Sequence, residues 1–367
     1  MFFLFLAETD EKNSDGACKI VRTEGFRQKK AGEREGNKRK RKRGPNMNRK
    51  AAGMMIGTAS TLCALMGSMM YMSTKILVNT ALDRNAPAVM SRFGRLISGT
   101  PKNETAETGR EAAGMALLNK NTETVRIRSR DGTSLTGHFY PCAHAKRTIV
   151  AMHGWRSVWY RDFGAIADFW HDAGCNILFP DQRGQNESGG NYIGFGALER
   201  HDCALWAEWA EKRCGKLPVY LVGISMGATT VLLAAGLPLP ACVKGIIADC
   251  GFVSTERIWR HVIQKNLHML YGLRRRFASA LCRKKLQLGT EDISTVHALQ
   301  QAHTPVMLIH GTADRFVPVE MTYENFSACA APKRLLIVPG AGHGMSYVLD
   351  RENYEREVRS FWEAYDV

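Results

Sequence analysis

The ten cysteines include no Cys-x-x-Cys pair and do not form a disulfide framework. Metal and dithiol redox chemistry therefore lose their usual sequence support. Free thiols outside the cytoplasm would be unusual under oxidising conditions, which counts modestly against export or suggests an anaerobic setting. Neither a glycine-rich phosphate loop nor a dinucleotide fingerprint occurs. No cofactor and no metal are expected.

Charge is absent from Ala51 to Met72, and Asn48-Arg49-Lys50 precede that run. As a helix, 22 uncharged residues span about 30 Å of hydrocarbon, and the basic flank stays in the cytoplasm. Gly53, Gly57, Gly67, Thr58, Ser60 and Ser68 make the run only moderately apolar. A cleavable signal peptide and a buried helix are the competing readings. The expectation is a signal anchor over residues 47–75, giving a single-pass cell-membrane protein with its downstream domain extracytoplasmic.

The net charge of +15 is unevenly spread, since residues 1–50 hold 15 Lys/Arg against 7 Asp/Glu. The run Lys38-Arg39-Lys40-Arg41-Lys42-Arg43 can be read as a nucleic-acid arm or nuclear signal. Lys, Arg, Gly and Glu all have purine-only codons, as a translated ribosome-binding region would use, and Met47 opens a sensible protein. Residues 1–46 are expected to be a start-site artefact or a disordered tail. No nucleic-acid partner is expected.

Residues 76–122 read as a polar connector that lies on the domain or stands it off the membrane, with possible helices at Ala81–Ile97 and Gly109–Leu118. A chain beginning near Ala86 is expected to be soluble and still active, because the whole active domain, residues 123–367, lies downstream. Thr124–Ser129 and Ser134–Tyr140 alternate about the Arg130-Asp131-Gly132 turn, which predicts a hairpin. Apolar runs at Thr148–Met152, Asn176–Pro180, Val219–Val222, Gly245–Ala248, Val306–Ile309 and Leu335–Val338 follow. Helical stretches at Trp159–Ala173, Phe195–Lys212, Ala228–Ala235, Pro318–Cys329 and Ser346–Tyr365 separate or follow them. This alternation predicts an α/β fold with a mostly parallel central sheet covered on both faces.

Gly223-Ile224-Ser225-Met226-Gly227 lies between the Val219 strand and the next helix. A serine on such a strained strand-to-helix turn is a candidate nucleophile, with glycines where side chains would clash. A serine hydroxyl needs a base, and the base needs an orienting carboxylate. Asp314 follows one strand end and His343, between Gly342 and Gly344, follows the next. Asp249 is a rival acid, read instead as anchoring loop backbone. Backbone N–H groups of Met226 and Trp155 are the candidate oxyanion hole. His153 is read as shaping its loop, and His201 and His310 as packing or surface residues. The loop Asp181–Gly189 is read as knitting the domain through Asp–Arg contacts.

Several motifs together make residues from about Thr124 to Val367 resemble the α/β-hydrolase superfamily. They are His153-Gly154-Trp155, Asp181-x-Arg183-Gly184, Gly196 to Asp202, Gly223-x-Ser225-x-Gly227, His310-Gly311-x-x-Asp314 and Gly342-His343-Gly344. Within the superfamily the chain is similar to the serine-aminopeptidase-type (hydrolase-4-like), membrane-anchored bacterial hydrolases. The resemblance implies a Ser225, Asp314, His343 triad and a lid over residues 252–302, after the sixth strand. Gln185 departs from the glycine common in that loop. The expected activity is carboxylic-ester hydrolysis of a small-molecule or lipid-like ester through an acyl-enzyme. An aminopeptidase or amidase, or a non-catalytic scaffold, are the alternatives. Ile258-Trp259, Ile263, Leu267, Leu270-Tyr271 and Leu273 give the lid an apolar face at helical spacing. Beside it run Arg274-Arg275-Arg276 and Arg283-Lys284-Lys285, able to meet an anionic substrate or an acidic membrane.

Overall fold

The computed structural model describes residues 49–85 and 104–366, with side chains for residues 60–85 and 108–366. The expectations for residues 1–46, and for a helix reaching Ile97, lie wholly or partly outside the described residues. The chain divides into residues 1–58, which include the start of α1 (Arg49–Leu82), and a compact unit from Ala59 onward, which holds every side-chain contact below.

β1 (Glu123–Arg128) and β2 (Ser134–Tyr140) form the expected antiparallel hairpin. β3 (Arg147–Met152), β4 (Cys175–Pro180), β5 (Val219–Ile224), β6 (Val243–Asp249), β7 (Val306–Gly311) and β8 (Lys333–Val338) pair in parallel. β2 joins them antiparallel through β4, and the order across the sheet is β1-β2-β4-β3-β5-β6-β7-β8. Every residue of β3, β4 and β7 is buried, which is why these runs are mostly apolar rather than alternating.

Helices cover both faces. On one, α2 (Glu104–Leu118), α3 (Trp159–Asp172) and α11 (Arg351–Tyr365) bury Leu117, Phe163, Trp170, Phe361 and Trp362 against the sheet. On the other, α4 (Glu199–Cys214), α5 (Met226–Ala234) and α8 (Thr295–Gln300) contribute Trp206, Val231, Leu232 and Leu299. α9 (Glu320–Ala328) links β7 to β8.

Two helices differ from expectation. The stretch Ser346–Tyr365 is two helices, α10 (Ser346–Leu349) and α11, broken where Asp350 leaves helical geometry. The helix expected from Phe195 begins at Glu199, because Phe195 and Gly196 hold φ of 54° and 89°. The buried Glu199 carboxylate accepts the Gly194 and Gly196 N–H groups at 2.6 and 2.9 Å, fixing that turn.

The described parts of the connector, residues 76–85 and 104–122, lie packed on the domain. α2 crosses α3 so closely that a Cβ on Gly164 would lie 2.6 Å from the Gly114 nitrogen. α1 (Arg49–Leu82) buries Thr74, Val78, Thr80 and Leu82 in its last turns, and Ile193 N–H donates to the Leu82 carbonyl at 2.7 Å. Among the described residues, one stretch, Ser60–Leu82, is long and apolar enough to cross a membrane. Its N-terminal part, including Leu62, Leu65, Met66 and Met69, is exposed.

The insertion after β6 comprises α6 (Thr255–His261), a π-helical turn (Val262–Asn266), α7 (Gly272–Leu286) and α8. Ile258, Trp259, Ile263 and Tyr271 turn inward as their spacing implies. Leu270 and Leu273 do not: they are 89 % and 66 % exposed.

Candidate active site

The turn at Ser225 is built by two close approaches. A side chain on Gly227 would overlap the Met152 carbonyl at the end of β3, and one on Gly223 would overlap Gly227. With both side chains missing, β5 runs into α5 through Ser225 at φ 57° and ψ −118°. That strained conformation is held by the Ser225 N–H donating to the Asp249 carbonyl at 2.9 Å.

His343 comes to this serine from the loop after β8. Its Nε2 lies 2.8 Å from Ser225 Oγ, and its Nδ1 lies 2.7 Å from Asp314 Oδ2. Asp314 follows β7, and its Oδ1 accepts the Phe316 and Val317 N–H groups at 2.8 and 2.9 Å. Burial works to raise the Asp314 pKa, but His343 and His310 beside it hold the carboxyl well below its usual range. Burial likewise works against a charged His343, and the Asp314 carboxylate outweighs it, holding the imidazole pKa well above its ordinary value. A hydroxyl, an imidazole and a fixed carboxylate in this chain can move a proton from serine to imidazole and back.

Asp249, the rival acid, stands outside the chain. Its carboxylate accepts a hydrogen bond from the Ser346 hydroxyl at 2.9 Å, not from loop N–H groups as expected. Burial pushes its pKa up to about 6.

His153 does shape its loop. It is fully buried, its Nδ1 lies 2.7 Å from the Gly154 carbonyl, and its Nε2 accepts the Gln182 N–H at 3.1 Å. The Gly154 N–H donates to Asp162 at 2.8 Å and the Arg156 N–H to Gln185 Oε1 at 2.6 Å, so the groups flanking Trp155 are engaged. Met226 is the first residue of α5, where N–H groups lack a helical partner and the helix dipole favours negative charge. Arg183 donates to Asp202 at 2.5 and 2.7 Å and to Asp131 at 2.7 Å, the domain-knitting role expected of that loop.

Three residues near the site were given no part in it by the sequence. His310, read as a packing or surface residue, is fully buried, with Nε2 3.2 Å from Asp314 Oδ2. Cys250, at φ 52° after β6, is buried. Its sulfur offers a ligand atom within 4.8 Å of those of Asp314 and His343, a set able to hold a metal ion only by taking the imidazole from its partners. Gln185, the departure from glycine, spends its carbonyl on Arg156. The strand-end position of Cys250, shared with Asp314, was a usable signal; Gln185 and His310 stood in marked motifs, but nothing local showed what their side chains would touch.

Met226, next to Ser225, belongs to a buried apolar cluster with Phe195, Phe252, Trp259, Val317 and α1's Val78 and Leu82, and Trp155 and Phe316 pack on it.

Comparison with known proteins agrees with this frame. The chain is 26 % identical over 238 residues to the uncharacterized protein YqkD of Bacillus subtilis, covering 64 % of this chain and 77 % of that one. It is 28 % identical over 159 residues to human protein ABHD12B, covering 41 % and 40 %. Among solved structures, the Pyrococcus furiosus esterase Pf2001 superposes with TM-score 0.57 at 19 % identity, covering 69 % of this chain and 94 % of the esterase. A Pyrococcus horikoshii acylaminoacyl peptidase superposes with TM-score 0.51 at 16 % identity, covering 68 % and 43 %. These likenesses establish the α/β-hydrolase fold. The prolyl oligopeptidase family, Peptidase_S9, matches residues 161–365, more than half of the chain, and the chain belongs to that family of serine hydrolases.

Proposed function

We propose that the protein is a membrane-anchored esterase working through Ser225, His343 and Asp314. The observation that carries this is the unbroken chain from Ser225 Oγ to His343 at 2.8 Å and on to Asp314 at 2.7 Å. Ser225 attacks the ester carbonyl carbon while His343 Nε2 takes its proton. The oxyanion is met by the N–H groups of Met226 and Trp155. The imidazolium then protonates the departing alkoxide, leaving an acyl-serine that water cleaves by the same route. Asp314 holds the imidazole and stabilises its charged form. An ester with an apolar acyl group suits the cluster of Phe195, Trp259, Val317 and Leu82 beside the nucleophile. α1 supplies the anchor, with the hydrolase domain on the extracytoplasmic side.

A fluorophosphonate probe tests the nucleophile: the wild type should label and Ser225→Ala should not. A folded wild type that resists the probe overturns the reading. The peptidase neighbour and the family name keep an amidase in view. Matched ester and amide substrates separate the two, and faster turnover of the amide would select it.

A further inference from the structure

The exposed end of the lid stands beside the stretch of α1 that the domain leaves free. Arg274, in the first turn of α7, donates to Ser73 Oγ at 2.7 Å and Thr74 Oγ1 at 3.2 Å. Phe277 packs edge-on against Tyr71 at 5.5 Å, and Lys285 pairs with Asp83 at 2.6 Å. Arg274 thus meets α1 near residue 73 and Lys285 meets it near residue 83, so the two helices run alongside each other in the same direction. The turn that opens α7 therefore sits level with about residue 70, where the uncharged run Ala51–Met72 is ending.

That turn carries Leu270 at 89 % and Leu273 at 66 % exposure. Tyr271 between them is buried, so the pair is pinned outward rather than loosely displayed. Arg275 and Arg276, exposed, follow at once. At the same level α1 exposes Met69, Met72 and Ile76. An apolar tip edged by arginines, beside a helix able to span a bilayer, matches the chemistry of an interface: hydrocarbon below, anionic headgroups around.

We infer that Leu270 and Leu273 insert into the membrane surface while Arg275 and Arg276 engage anionic lipid headgroups. The lid then rests on the bilayer, and ester substrates reach Ser225 from the lipid phase. This rests on the anchor reading of α1.

The test uses the full chain in nanodiscs of phosphatidylcholine and phosphatidylglycerol. A diazirine amino acid at position 270 should crosslink to lipid, and the same group at exposed Lys212 should not. Leu270→Glu with Leu273→Glu should lower turnover of a bilayer-embedded ester by about tenfold or more and leave a short water-soluble ester unaffected. Arg275→Gln with Arg276→Gln should abolish any rate gain from phosphatidylglycerol. Incorporation without a lipid adduct at 270 overturns the lid proposal alone, as does equal loss, or no loss, on the two esters. Failure of the wild type to enter nanodiscs removes the anchor and the proposal with it.

Discussion

The indole N–H of Trp155 donates to the carbonyl of Ala81 at 2.9 Å, joining the loop beside the nucleophile to the last turn of α1. Arg156 strengthens the joint, reaching the carbonyls of Thr80, Asp83 and Arg84, and Arg84 in turn reaches those of Asn186 and Ser188. A chain starting at Ala86 loses all of these and removes Val78 and Leu82 from the buried cluster that holds Met226. We expect it to lose most activity on a soluble ester, whereas Leu82→Ala alone should cost about 2–4 kcal/mol of stability. Circular dichroism melts and soluble-ester rates check both. Full activity from Ala86 onward would show these contacts to be dispensable.

The two acids should separate cleanly. Asp314→Asn leaves the fold but presents the wrong tautomer at His343, and turnover should fall roughly 10⁴-fold by analogy with serine proteases. Asp249→Asn should keep most activity and change stability instead. Its carboxyl is raised from 3.8 to about 6 in the fold. The folded state therefore binds that proton more tightly, and stability declines as pH rises between those values and stays lower above them. The amide removes this penalty, so Asp249→Asn should gain up to roughly 3 kcal/mol near pH 7 and nothing near pH 3. Denaturant midpoints across pH measure it; loss of turnover with Asp249→Asn while Asp314→Asn stays nearly active would reverse the acid assignment.

The sheet was legible because fully buried parallel strands leave no room for polar alternation, so β3 to β7 announce themselves as apolar runs. Ser225, Asp314 and His343 could be grouped because each follows a strand whose end faces the same edge. The glycines at 223 and 227 mark the turn by backbone overlap, a constraint no other residue meets. Contacts such as Trp155 with Ala81 had no local sign, being set by how a distant helix docks. Leu270 and Leu273 misled for a related reason: helical spacing shows that residues share a face, but not whether anything covers it.

The pH profile follows from the same chain. His343 acts as base only when neutral, and Asp314 stabilises its charged form. Turnover of a neutral ester should therefore rise through an acid limb centred above the ordinary imidazole value. Removing the negative charge in Asp314→Asn should move the residual limb to lower pH. A limb at the ordinary value, unmoved by the substitution, would uncouple the two groups.

Gln185 offers the last test, on the loop that carries Trp155. Arg156 sits at φ 50°, a left-handed conformation that costs a non-glycine residue about 1–2 kcal/mol. The Gln185 carbonyl holds it there through the Arg156 N–H at 2.6 Å. Gln185→Gly frees that N–H and lets the loop relax, tilting the neighbouring Trp155 N–H away from the developing oxyanion. In the proposed oxyanion hole that group acts in the transition state rather than on bound substrate, so kcat should fall about tenfold with KM little changed. Gln185→Glu keeps an acceptor in place and should recover much of the rate. Equal rates for the wild type and Gln185→Gly, or a change confined to KM, would remove Gln185 from the machinery and leave it a packing residue.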